Sequence, residues 1–268
     1  MTHPKEILRG LETRARRSLG QNFLHERAVI DRIIATAEIG PGSQVLEIGP
    51  GLGALTEPLL QTGAQVTAIE RDDLLADRLT RQHPSLTVIG ENALTADLEQ
   101  ICGQGTWRCV ANLPYNVGTP IMQRLVRLSG HFDRLVLMLQ KEVVDRLTSA
   151  PGSKRYGALT LHVGAYAAVE RAFIVSPGAF HPRPKVDSAV ARFDLLPVPR
   201  VGTASPDTFH AMVKAAFATR RKTLRNNLRA VHGAERALEI LEAAQIDPGE
   251  RAERLDHDAF IRLAEAAS

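Results

Sequence analysis

The chain has little cysteine, few aromatic rings and no long apolar run. Only Cys102 and Cys109 occur among its 268 residues. They have neither metal-ligand spacing nor a disulfide-rich setting, which argues against a cysteine-held metal or a stapled secreted fold and fits a reducing cytosol. The longest stretch of large aliphatic side chains, Leu135 to Leu139, falls far short of the roughly 20 residues that cross a bilayer. Met1 to Leu8 carries no apolar stretch, so neither a signal peptide nor a membrane helix is expected. Repeats and low-complexity tracts are missing too. Aromatic residues are 4% of the chain, so a ring held in a loop invites a role.

What is present reads as an ordinary globular composition, 44% hydrophobic and 24% charged. The length allows one ample core plus a smaller appendage, and two domains are expected. Net charge is only +3, but the basic residues are unevenly placed. From Arg200 to Arg229, Arg200, Lys214, Arg220, Arg221, Lys222, Arg225 and Arg229 face a single acid, Asp207. The opening segment sets Lys5, Arg9, Arg14, Arg16 and Arg17 against Glu6 and Glu12. Two basic patches on a nearly balanced protein suit a polyanionic partner met at particular surfaces, or else solvated helix faces.

Short apolar runs alternate with helical patterns through the first two thirds, the mark of a parallel sheet covered by helices on both faces. Strands are expected at Val45–Ile48, Val66–Ile69, Leu86–Ile89, Cys109–Ala111, Leu135–Leu139, Ala172–Val175 and Val190–Phe193, the last two as an antiparallel hairpin at one edge. Helices are expected over Glu26–Ala37, Ala54–Gln61 and Asp73–Arg81, and from Thr119, an N-cap followed by Pro120. After Leu196, Pro197, Pro199, Gly202 and Ser205-Pro206 read as a linker. Helices over Phe209–Phe217, Arg221–Val231, Ala234–Ala243 and His257–Ala266 would then form a small all-helical domain. The division expected is therefore residues 1–198 and 199–268.

Glu47-Ile48-Gly49-Pro50-Gly51-Leu52-Gly53-Ala54-Leu55-Thr56 follows the first strand and opens a helix. Gly49 and Gly51 let the backbone turn sharply and approach a ligand, although the same letters satisfy a dinucleotide fingerprint. The neighbours separate the two. Glu47 puts a carboxylate where a pyrophosphate is unwelcome but a sulfonium and an amino group are favoured. Glu70 ends the second strand, where an acid can accept both ribose hydroxyls, and Glu91-Asn92 after the third can meet an adenine edge. S-adenosylmethionine fits this set better than NAD.

Asn112-Leu113-Pro114-Tyr115 closes the fourth strand. An exocyclic amine on a base attacks a methyl group poorly until acceptors on its N–H bonds draw the nitrogen toward tetrahedral geometry. The Asn112 oxygen is one candidate acceptor and the carbonyl of Leu113 or Pro114 another, with Pro114 stiffening the turn and Tyr115 offering a ring face. An ordinary proline turn would have the same letters.

Taken in order, Gly20-Gln21-Asn22-Phe23-Leu24, Glu47 to Thr56, Glu70, Asn112 to Tyr115, Phe173 to Ser188 and Phe217 to Leu228 resemble the ribosomal RNA adenine N6,N6-dimethyltransferase family, nearest its small-subunit (KsgA-type) enzymes. The resemblance implies a Rossmann-like class I methyltransferase α/β sheet, mostly parallel with seven strands, and a helical C-terminal domain that binds rRNA. It places cofactor contacts on Asn22, Leu24, Gly49, Glu70, Asn92 and Asn112, to which the glycine turn adds Gly51. Asn92 departs from the family's usual Asp, which implies altered cofactor affinity. Phe180, by the same resemblance, stacks on the target base opposite Tyr115, against the plain alternative of a ring buried in the hairpin core. Helical spacing over 217–229 sets Phe217, Leu224 and Leu228 on one face and Arg221, Arg225 and Arg229 on another, with Arg220, Arg221, Lys222 and Arg225 as an RNA clamp. The implied activity is dimethylation of two adjacent adenosines near the 3′ end of 16S rRNA in the small ribosomal subunit, by a cytoplasmic monomer that uses S-adenosylmethionine and no metal. Two rivals remain at this point: a non-catalytic RNA-binding assembly or transcription factor on the same fold, and a large-subunit rRNA methyltransferase.

Overall fold

The computed structural model describes residues 2–268, which divide into two units. One holds the chain up to Val144 together with Ala168–Pro197; the other holds Asp145–Ala167 with Val198–Ser268. The strands in chain order are β1 (Phe23–Leu24), β2 (Gln44–Ile48), β3 (Gln65–Ile69), β4 (Thr87–Ile89), β5 (Trp107–Asn112), β6 (Phe132–Gln140), β7 (Ala167–Val175), β8 (Phe180–His181) and β9 (Ser188–Leu195).

Seven of them form a sheet in the order β4-β3-β2-β5-β6-β9-β7, and β1 pairs with β8 in a separate antiparallel ladder. From β4 to β6 the pairing is parallel, and β9 runs antiparallel to β6. This is the mixed sheet that the alternating pattern predicts. The run Leu135–Leu139 is buried throughout, as befits a strand covered on both faces. Successive strands leave β2 in one direction and β5 in the other, while Ile48 of β2 stands beside Ala111 of β5. The order reverses at that pair, and the loops beyond its carboxyl ends open a crevice where ligands bind in such sheets.

Three local expectations need correction. The helix expected to begin after a Thr119 cap starts at Gly118 with Val117 as its cap, because the Val117 N–H already donates to the Pro114 carbonyl at 3.2 Å and its own carbonyl accepts from Ile121. Ser205 and Pro206 belong to a helix rather than a linker: Ser205 accepts from the Thr208 N–H at 3.0 Å and Pro206 takes the first position. The link between β7 and β9 is no simple hairpin turn, since it contains β8.

The second unit is all helical, as expected, but it draws in residues 145–167, which the division at 198 assigned elsewhere. The reasons are long-range bonds: Gly152 N–H to the Glu253 carbonyl at 2.6 Å, Arg200 N–H to Ala165 at 2.7 Å and the Tyr156 hydroxyl to Leu255 at 2.8 Å. Its core gathers Phe209, Leu224, Leu228, Ile240, Leu241, Phe260 and Leu263, with Phe217 stacked on Phe260 at 5.7 Å. The helix expected from Arg221 starts only at Leu224, with Thr223 extended as its cap, so Arg221 is not on the same helical face as Arg225 and Arg229. The preceding helix, Pro206–Ala216, is closed instead by Asn227. Its buried side-chain amide donates to the carbonyls of Ala216 at 2.6 Å and Thr219 at 3.1 Å. Asn227→Ala leaves both acceptors without that donor and is expected to cost about 2 kcal/mol, read as a lower urea midpoint; a midpoint equal to the parent's would show that the closure contributes nothing.

Candidate functional site

Loops beyond β2, β3, β4 and β5 meet the segment around β1 at a single cavity. Its wall includes Asn22, Leu24, Gly49, Gly51, Glu70, Asn92 and Asn112, together with Leu113, Pro114 and Tyr115. Residues scattered over ninety positions of sequence are thus brought together by the strand order reversal. Gly49 and Gly51 both have φ near +60° (66° and 59°), which non-glycine residues adopt only at a cost. A side chain at Gly51 would come within 3.1 Å of the Phe23 ring, whereas at Gly49 it would meet nothing within 4 Å. Gly51 is therefore fixed by packing, and Gly49 leaves room for a ligand against bare backbone.

The carboxylates sit where the strands end. Glu70 accepts from the N–H groups of Gly51 at 3.0 Å and Asp72 at 2.9 Å, which ties the glycine turn to the end of β3. Burial raises its pKa, and those two donors partly offset the rise. Glu47 is 1% exposed and accepts from the Thr56 hydroxyl at 2.7 Å. Burial pushes its carboxyl up to about 8, the Thr56 bond works the other way, and the neighbouring Glu70 adds to the rise. Two buried acids beside an open backbone turn make a site that favours a cationic, hydroxyl-bearing ligand over a pyrophosphate. The donor set therefore fits S-adenosylmethionine. Glu47, Glu70 and the Gly49 turn are the groups that would hold it.

Asn92 lies in the wall after β4, its side-chain oxygen accepting from the Leu94 N–H at 3.1 Å. The loop there is held from outside by Arg124, whose guanidinium donates to the carbonyls of Ala93 at 2.6 Å and Ala96 at 2.9 Å. Arg124 was not among the sequence candidates, and no local motif marks a residue that acts from a helix thirty positions away.

Asn112 is oriented by its partner. Its side-chain N–H donates to the backbone carbonyl of Asn22 at 3.0 Å, so the donor end is engaged and the Oδ1 acceptor is left without a partner among the described residues. Asn22 thus contributes through its main chain, while its side chain turns back to the Gly20 carbonyl at 3.2 Å. The two backbone acceptors left open by the sequence now differ. The Pro114 carbonyl takes the Val117 N–H, whereas the Leu113 carbonyl accepts no hydrogen bond among the described residues. The Tyr115 ring is half-buried, and its hydroxyl shares a hydrogen bond with Ser188 at the start of β9. Burial raises the phenol's pKa, and the Ser188 bond opposes that.

Phe180 is not brought to the wall. It is 3% exposed, pairs with Leu24 across the β1/β8 ladder and packs in the core with Leu24 and Ala179. It is a buried core residue outside the cavity wall, the position that the plainer of the two alternatives describes. In the second unit, Arg220, Arg221, Lys222 and Arg225 are exposed; Arg220 donates to the Lys154 carbonyl, and none of the four forms an ion pair among the described residues. No group of three or more metal-ligating side chains occurs among the described residues.

Residues 12–268 match the family model for ribosomal RNA adenine dimethylase. A relative from Geobacter sulfurreducens, ribosomal RNA small subunit methyltransferase A, is 45% identical over 267 residues, covering 96% of each chain. The protein of the same name from Lactiplantibacillus plantarum is 40% identical, covering 98% of this chain and 93% of that one. Among solved structures, a dimethyladenosine transferase from Plasmodium falciparum superposes with a TM-score of 0.78 at 25% identity, covering 90% of this chain and 95% of that one. The 23S rRNA methyltransferase ErmE gives a TM-score of 0.70 at 27% identity, covering 91% and 99%.

The buried Glu47 makes a direct prediction. The folded chain keeps its proton up to about pH 8, whereas the unfolded chain releases it near the ordinary value of 4.5. Over that window the folded state binds more protons, so this group's contribution to stability is lost as pH rises. Glu47→Gln stays neutral throughout. Its melting temperature relative to the parent is expected to be higher at pH 8 than at pH 5; a difference independent of pH would overturn the assignment.

Proposed function

The chain belongs to the ribosomal RNA adenine dimethylase family, and from that premise we propose that it dimethylates the N6 atoms of two adjacent adenosines near the 3′ end of 16S rRNA, in the small ribosomal subunit or its precursor. It is an S-adenosylmethionine-dependent rRNA adenine methyltransferase. The small-subunit target is supported by relatives at 40% and 45% identity that carry that name, against 27% for the 23S enzyme. The non-catalytic reading gains no support, because the Asn112 to Tyr115 turn is intact and lines the cavity.

The observation that carries the chemistry is the orientation of Asn112. With its amide N–H committed to Asn22, its oxygen is the acceptor offered to an incoming amine, and the free Leu113 carbonyl is a second. Acceptors on both N–H bonds localise the nitrogen lone pair on the opposite side, toward the cavity. When bound, S-adenosylmethionine supplies a methyl group on a sulfonium, a leaving group good enough to need no acid from the protein. Tyr115 offers the half-buried ring face on which the adenine stacks, worth about 1 to 3 kcal/mol. No residue of the turn is needed as a base, since the amine proton can leave to water after transfer. Catalysis on this reading is positioning. Phe180 would join as the opposite face of a base clamp only if β8 shifts when RNA binds.

We also assign Arg220, Arg221, Lys222 and Arg225 to rRNA phosphates, on their exposure and lack of ion pairs. No helix among the described residues is long and apolar enough to cross a membrane; with an rRNA substrate, the reading is of a monomer acting in the cytoplasm. Purified protein with methyl-labelled cofactor and undermethylated small subunits is expected to label 16S rRNA as dimethyladenosine. Asn112→Ala should lower kcat by about 100-fold or more. Label appearing only on large-subunit RNA, or undiminished turnover in the variant, would sink the proposal.

A further inference from the structure

A second groove, of about 870 Å³, opens beside the first unit's β1/β8 ladder, lined by Lys5, Glu6, Leu8, Arg9, Thr13, Arg14, Ala15, His181 and Pro182. Three of its side chains are cations and one is an acid. Lys5, Arg9 and Arg14 are exposed and make no ion pair among the described residues, unlike Arg16, which pairs with the buried Asp72 at 3.4 Å. Arg17, the remaining basic residue of the opening segment, has its side chain outside the described residues. Unpaired like charges gathered along a concavity repel one another and are best accounted for by an anion that fills it.

His181 adds to this. Its ring lies 5.4 Å from that of His3, which in turn lies 4.7 Å from His25. Burial lowers the His181 pKa, and His3, Lys5 and His25 lower it further, the response expected of an imidazole in a positive field.

The groove is joined to the cofactor cavity by short backbone links. His181 pairs with Phe23, which lines that cavity and whose ring lies beside Gly51. Strand β1 therefore separates two concavities, one for the cofactor and one lined by cations. Resting on the rRNA reading above, we infer that the Lys5/Arg9/Arg14 groove seats the phosphates of the RNA strand flanking the target adenosine. Nucleotides next to a base held at Tyr115 must continue over the protein surface, and this groove offers the cations to receive their phosphates. Its cations set affinity and register for RNA and take no part in the transfer itself.

The test is the K5Q/R9Q/R14Q variant of the full chain, assayed on undermethylated small subunits across a salt series. The inference expects KM for the subunit to rise on the order of 10-fold, kcat and S-adenosylmethionine affinity to be retained, and the slope of log(1/KM) against log salt to shrink by roughly 2. Parent activity with an unchanged slope and KM in the variant would overturn the groove while leaving the methyltransferase reading intact; absence of activity in the parent would overturn that reading instead. If the triple variant loses cofactor binding or its melting transition, Arg9→Gln and Arg14→Gln are assayed singly, each expected to reduce the slope by roughly 0.7; unchanged slopes in both overturn the inference.

Discussion

The hydrogen bond from the Asn112 amide to the Asn22 carbonyl is the contact on which the site depends. An asparagine at a strand end can present either a donor or an acceptor, and a half-turn of its terminal torsion exchanges them. A backbone carbonyl can only accept, so by standing where it does, Asn22 fixes which end is left over. That carbonyl is placed by residues far from it. β1 is anchored by pairing with β8, Phe23 fills the space above Gly51, and Leu113 is drawn toward Met138 of β6 by its N–H at 3.1 Å. An acceptor of defined direction thus requires the opening segment, the end of β5 and the glycine turn to be in place together.

Electrostatics at the cavity oppose stability and favour ligand. Burial raises the proton affinity of both Glu47 and Glu70, and a neighbouring acid adds to the rise in each case, Glu70 for Glu47 and Asp72 for Glu70. A fold optimised for stability alone would hold apolar groups there, since a buried acid without a cationic partner costs folding free energy. Retaining Glu47 with a single hydroxyl donor keeps a carboxyl that ionises readily once a positive charge approaches. The donor from Thr56 and the two N–H groups on Glu70 hold the acids in position without neutralising them.

Much of this was legible in the sequence. The strands that bury both faces were visible as short aliphatic runs, and the glycine turn, Glu70, Asn92 and Asn112 fall on one wall because strand-end position is encoded locally. Features set by contacts distant in sequence were not. Residues 145–167 read as part of the first domain until bonds to Arg200, Glu253 and Leu255 draw them into the second unit. The basic stripe from Arg221 assumed a continuous helix, but Thr223 interrupts it as the cap of the next. For Phe180, the resemblance implied a ring stacked on the target base, whereas in the ladder with β1 the residue lies in the core. Ser188 was legible only as part of a motif, and its bond to Tyr115 joins residues seventy-three apart.

By the resemblance, Asn92 stands where the family has an aspartate, an exchange that would alter chemistry while leaving shape alone. The loop after β4 is set by the Asn92 side-chain oxygen on the Leu94 N–H and by the grip of Arg124 on Ala93 and Ala96. An aspartate would present the same oxygen to the same N–H, so the backbone course does not distinguish the two residues. What differs is the other end of the side chain: an aspartate offers a second charged acceptor, an asparagine a neutral donor. Against an adenine edge, the exchange trades an acceptor for the exocyclic amine for a donor to a ring nitrogen. It also removes one negative charge from a cavity that already contains Glu47, Glu70 and Glu91. Arg124 holds the loop without entering the cavity wall, so on the proposed reading the exchange bears on cofactor affinity and not on the Asn112 turn.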